Sequence, residues 1–240
     1  MTTRLLLAAI VLAAAAGCVS HPPTIAHVHI GHAVTGVHVT PGQKGYFQQA
    51  EERASEAAEK AKAASASADL AEIKGLSASI LEATESKEKF GLKHALVMSA
   101  NHIAFAATSP DASLNLQQSG PAFAKDITRL VERCELIALL GKDVAGSTSA
   151  SEAKLLAGEM SKLAVANLDG EDTDGDGKAS TTAAEFGIAQ LREQLDAMIA
   201  RENPPYRTVE QWYLFNLVKL PNGRWVFDKL GRGGNIEGYQ

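Results

Sequence analysis

The stretch AEERASEAAEKAKAASASADLA, residues 50–71, places alanine at Ala50, Ala54, Ala57, Ala61, Ala64, Ala68 and Ala71. The intervals alternate four and three, the spacing of a seam along one face of an α-helix, with Glu, Lys and Ser outside it. Alanine lets helix axes approach closely, yet each residue buries little area, so such a helix depends on its neighbours. The seam predicts packing inside the chain's own helical bundle. Self-association, or contact with a protein partner through residues 50–71, is the alternative reading of the same pattern.

The segments that follow are helical too. A helix is expected from Ile73 to Ala107, with Gly91 a candidate interruption, and Phe90–Ala107 is apolar nearly all round, which suits a buried central helix. Ser109-Pro110-Asp111 ends it. Gly120-Pro121 reads as the start of a third helix, about 121–144, because proline suits a first turn. Its core stripe is Phe123, Ile127, Leu130, Cys134 and Ile137, which makes Cys134 a small buried hydrophobe rather than a reactive thiol. Ser149 and Ser151 are cap candidates for a fourth helix over 152–168, with Leu156, Met160 and Leu163 inward. A fifth, from Ala183 to Arg201, turns Ile188, Leu191, Leu195 and Met198 inward and stops at Asn203-Pro204-Pro205.

The two ends differ from this middle. His21–His38 holds five of the seven histidines, among Ile25, Val28, Ile30, Val34, Val37 and Val39. That β-branched content reads as one or two short strands within residues 18–45. Tyr206–Tyr239 holds seven of the thirteen aromatic residues, and Trp212–Leu220, Pro221-Asn222-Gly223 and Arg224–Phe227 read as a hairpin within 204–240. A hairpin alone is marginal, so the two ends are expected to share one small sheet. The fold class is therefore mainly α: a bundle of about five helices over 46–203 with a small β element from the histidine-rich and aromatic segments. Trp212, Tyr213 and Trp225 either cover the bundle end or offer an aromatic ligand surface.

Between the fourth and fifth helices lies DGEDTDGDGKASTTAAE, Asp169–Glu185. Asp172, Asp174 and Asp176 alternate with Thr173 and Gly175, and Gly177 follows. Alternate carboxylates closed by glycine converge on a point and suit a hard cation. The pattern resembles the first half of an EF-hand calcium loop. That resemblance implies Asp172, Asp174 and Asp176 as carboxylate ligands and the Lys178 backbone carbonyl as another. The second half departs from the family. The twelfth position is Ala183 where an EF-hand has its bidentate Glu, and the eighth is Ala179. Glu185-Phe186 stands two residues late, and Thr182 with Glu185 forms a T-x-x-E capping box. Either the loop is two residues longer and Glu185 closes the site, or Glu185 only caps the next helix.

The histidines offer different chemistry. In a strand His27 and His29 share a face, and His32 completes a three-imidazole set after Gly31. Further on, His94, Met98 and His102 stand at intervals of four on one helix face. Imidazole suits zinc, copper and nickel, and imidazole with thioether suits copper. This is either a transition-metal site, with the second group as a separate site or a wall of the first, or a polar surface.

The leader gives an address. Met1–Arg4 carries one positive charge, and Leu5–Ala16 is twelve apolar residues, a signal-peptide core well short of the roughly 20 that a spanning helix needs. Ala15-Ala16-Gly17-Cys18 resembles a bacterial lipobox. The resemblance implies removal of residues 1–17, lipidation of Cys18 and a membrane-anchored envelope protein. Val19 rather than Asp after the cysteine implies the outer membrane, facing the periplasm. With Cys18 lipidated, Cys134 is left without a disulfide partner.

About 220 residues remain after such a leader, enough for one domain with a real core. A net charge of −5 and a pI of 5.8, with no basic stripe, argue against a nucleic-acid partner. No G-x-S-x-G, phosphate-loop, H-E-x-x-H or C-x-x-C motif occurs, so no enzymatic class is favoured. The sequence thus supports a non-enzymatic, calcium-binding envelope lipoprotein. Its rivals are a periplasmic copper, zinc or nickel handling protein and a structural or adaptor lipoprotein.

Overall fold

The computed structural model describes residues 25–179, 182–203 and 205–206, and the backbone of two short strands, Leu217–Lys219 and Trp225–Phe227. The leader, the lipobox with Cys18, and the side chains Trp212, Tyr213 and Trp225 lie outside what is described. The chain is mainly helical. Seven α-helices are seen among the described residues: α1 Ile25–Val34, α2 Tyr46–Ala66, α3 Leu70–Glu85, α4 Leu92–Thr108, α5 Leu114–Gly146, α6 Ala150–Asp169 and α7 Ile188–Ala200.

The alanine seam is internal. Ala50 and Ala54 enter one core cluster, with Phe47, Leu96, Ile103, Phe123, Leu130 and Leu195, while Ala57, Ala61 and Ala64 enter a second, with Ile73, Ile80, Ile137 and Met160. All five are at most 1 % exposed, whereas Ala68 and Ala71 are exposed beyond the end of α2. Helix α5 spans both clusters as well, Leu116–Cys134 in the first and Ile137 and Val144 in the second. Its 33 residues extend about 50 Å at 1.5 Å per residue. Thus α2 and α5 are the two struts on which both cores are built.

Four expectations need correction. The histidine-rich segment is a helix where it is described, not strands. Ala26, Ile30 and Ala33 are buried at intervals of four and three, a helical period, and the Asp111 carboxylate accepts from Ile25 N–H at 2.5 Å and Ala26 N–H at 3.2 Å. A cap supplied from 85 residues away outweighs local β preference. A sheet shared between the chain ends therefore has no strand at residues 25–34 to share. The second helix, by contrast, is interrupted where Gly91 was the candidate: Phe90 adopts φ 52° and Gly91 opens α4. The third helix begins at Leu114, where Ser113 Oγ accepts from Leu116 N–H at 3.0 Å, and it runs through Pro121. The fifth begins at Ile188, and among the described residues the helix count is seven rather than about five. Among the cap candidates, Ser149 caps α6 through Glu152 N–H.

The C-terminal segment belongs to a separate compact unit. Its strands β1, Leu217–Lys219, and β2, Trp225–Phe227, pair antiparallel with Val218 opposite Val226.

Candidate metal centres

The aspartate loop leaves α6 at Gly170, whose φ is 86°. Asp172, Asp174 and Asp176 are exposed, and each offers a carboxylate oxygen within 4.8 Å of the others. Backbone N–H groups set this shape. Asp172 accepts from Gly175 N–H at 2.7 Å and from Gly177 N–H at 2.9 Å; Asp174 accepts from Asp176 N–H at 3.0 Å, and Asp176 from Lys178 N–H at 2.8 Å. Gly175 and Gly177 take φ of 80° and 84°, which lets the chain turn twice in three residues. A carboxylate has about four lone-pair sites, so these bonds leave acceptor capacity for an ion. Two unit charges 4 Å apart repel by about 1 kcal/mol even in bulk water, so three of them favour a cation.

Glu185 does not join that group. It is fully buried at 0 % exposure and fastens the loop from below. Its Oε1 accepts from Thr173 N–H at 3.3 Å and Thr173 Oγ1–H at 3.2 Å, and its Oε2 from Thr182 N–H at 3.0 Å. The capping-box bond thus forms, but on a turn ahead of α7 rather than at the helix start. At the start itself Gln190 Oε1 accepts from Gly187 N–H at 2.9 Å. Ala183, the twelfth loop position, is exposed.

The two ends of the loop touch. Glu171 N–H donates to Glu185 O at 2.8 Å, and a Cβ on Gly187 would stand 2.3 Å from Gly170 N. Only glycine permits that approach. Arg133, from α5 and 8 % exposed, ties the base together. Its guanidinium donates to Ala166 O at 3.2 Å, Phe186 O at 2.7 Å and Ala184 O at 2.9 Å. Burial pulls its pKa down, opposed by the Glu171 carboxylate 4.0 Å away. Sequence reading missed Arg133 and Gln190. The available signal was an arginine next to Cys134 in an otherwise apolar stripe.

The histidines regroup. Residues two apart on a helix point about 200° away from each other, whereas residues three apart share a face. His29 and His32 therefore go together on α1, and His27 turns the other way. There His27 Nε2 meets Glu202 Oε2 at 3.1 Å, and Glu202 Oε1 also accepts from Ser113 and Asn115. From α4 comes His102, with its Nδ1 3.1 Å from His29 Nδ1. One ring nitrogen from each of His29, His32 and His102 lies within 4.8 Å of the other two. Tyr46 stacks on His102 with centroids 5.3 Å apart, and Phe105 leans on His29 at 5.5 Å. Met98 lies one turn before His102. His94 is eight residues back, a rise of about 12 Å, too far to share an ion with His102. It packs on Phe90 instead.

Burial and crowding disfavour the charged form of these imidazoles. His102 is pushed down to about 4, first by desolvation and then by His32 and His29. His32 is lowered by desolvation, His29 and His38; His29 is lowered by desolvation against an opposing pull from Asp111. Cys134 is buried, its thiol raised above the ordinary range by desolvation, and Asn167 Nδ2 donates to its sulfur at 3.5 Å. It is a core residue.

A scan against protein-family models and searches of curated proteins and of solved structures gave no match to this chain. Among the described residues no helix is long and apolar enough to cross a membrane.

Proposed function

We propose that the chain is a cell-envelope lipoprotein, anchored through Cys18, that binds calcium at the Asp172–Asp176 loop and acts as a binding protein rather than an enzyme. The observation that carries the reading is the convergence of three aspartate carboxylates within 4.8 Å in a loop whose base is already fastened. Oxygen-only donors and exposure to solvent suit calcium, which takes six to eight oxygens and exchanges water readily. Asp172, Asp174 and Asp176 supply carboxylate oxygens and Lys178 its carbonyl. Glu185 holds the loop from beneath. The bound ion clamps α6 to α7 and offsets the repulsion among the aspartates.

The anchor rests on the lipobox resemblance at Ala15–Cys18. Labelling with a fatty acid tests it: wild type takes up label and sediments with membranes, and Cys18→Ser does neither. Thermal unfolding of the full-length chain tests the loop. Calcium raises the wild-type Tm and leaves that of Asp174→Ala unmoved; equal calcium shifts in the two proteins would remove the reading.

A further inference from the structure

We propose that His29, His32 and His102 form a second metal site, built for a divalent transition ion of the zinc, copper or nickel class and independent of the aspartate loop. Two helices far apart in sequence bring three imidazoles together, α1 supplying two and α4 one. His29 Nδ1 and His102 Nδ1 are hydrogen-bonded to each other at 3.1 Å. Zinc–nitrogen bonds of 2.0–2.1 Å in a tetrahedron require donor atoms about 3.3 Å apart, so this pair already sits near the spacing of a shared ion. The third nitrogen, on His32, lies within 4.8 Å of the other two.

A separate observation points to a ligand. His32 Nδ1 is buried and has no hydrogen-bond partner. A buried polar nitrogen left unpaired carries a desolvation cost that an ion or water removes. The donor set decides the class. Three nitrogens with no carboxylate among them disfavour calcium and suit ions that prefer imidazole. Three protein ligands leave a fourth position for water. The walls are aromatic, Tyr46 stacked on His102 and Phe105 against both His29 and His102, which limits how far the rings can swing. The ion would staple α1 to α4 as well as fill the site.

The test uses the full-length chain stripped of metal and titrated with zinc against a chromophoric chelator, with cobalt as a spectroscopic probe. Wild type binds one zinc with a dissociation constant in or below the micromolar range, and its cobalt form shows the visible bands of tetrahedral coordination. His32→Ala and His102→Phe each weaken zinc binding by about 100-fold or more and lose those bands, with the calcium response retained. His94→Ala leaves both readouts unchanged, since His94 packs on Phe90 about 12 Å along α4 from His102. Where His102→Phe fails to fold, His32→Ala decides alone, since His32 is half-buried and bears no hydrogen bond at its buried nitrogen. Wild-type zinc affinity in folded His32→Ala, or no zinc bound by wild type at micromolar concentration, overturns the proposal. Because the calcium response is read in the same samples, failure here is distinguishable from failure of the loop.

Discussion

Replacing Glu185 with glutamine separates a loop fastener from a calcium ligand. Each carboxylate oxygen of Glu185 faces a backbone N–H, Thr173 at 3.3 Å and Thr182 at 3.0 Å, in a position with 0 % exposure. Glutamine keeps the shape but offers one oxygen and one NH2 group. Whichever way the amide turns, its NH2 confronts one of the two backbone donors. One hydrogen bond to a charged acceptor is lost, worth about 1.5–3 kcal/mol, and the bonds that remain lose their charge assistance. Thr182 is exposed, so water can satisfy its freed N–H and spare the desolvation penalty. The net expectation is about 2–3 kcal/mol. For a chain of this size that is roughly 4–12 °C in Tm. The assay is urea and thermal unfolding of Glu185→Gln, with chelator and with saturating calcium. The fastener account requires the loss in chelator. A variant as stable as wild type in chelator, and weaker only with calcium present, refutes it and makes Glu185 a ligand.

Other perturbations reach the same structure from different sides. Arg133→Met leaves the carbonyls of Ala166, Ala184 and Phe186 without their donor, so about 2–4 kcal/mol is lost in urea unfolding and calcium affinity falls with it. Ala61→Leu forces a larger side chain into a position with 0 % exposure on the α2 seam, costing about 1–3 kcal/mol by the same measurement. In the metal-free protein, stability falls with acid. The folded-state pKa of His102 is lowered to about 4 from 6.5, so the unfolded chain binds the extra proton. The contribution is fully present above pH 6.5 and is lost as pH falls towards 4, read as a falling urea midpoint. A midpoint that rises over that interval contradicts the desolvated state of the ring.

What the sequence revealed followed periodicity. The alanine spacing from Ala50 to Ala64 and the Phe123–Ile137 stripe each repeat a helical period over several turns, and both lie where the pattern puts them. The Asp172, Asp174 and Asp176 alternation was legible for the same reason, since the donors are neighbours in one loop. What was hidden depends on distant residues. Helix α1 looks β-branched locally, yet its first N–H groups are capped by Asp111. Once it is a helix, His27 and His29 part company and His29 joins His32, so one error in secondary structure exchanged the members of the histidine set. His102 enters from α4: its group reads as a separate site or a wall of the first, and local spacing does not decide between the two. Arg133 was passed over because its work is on main-chain carbonyls, which carry no sequence signature. Pro121 read as a helix start because proline favours first turns, but Ser113 begins the helix two turns earlier.

The proposed function requires that the aspartate loop hold one calcium ion. Calorimetric titration of the full-length, chelator-treated chain tests it most directly. Wild type is expected to bind one calcium per chain and Asp172→Ala none, with the helical circular dichroism of the variant unchanged. Calcium that fails to bind wild type at millimolar concentration, or that binds the variant as well, would contradict it.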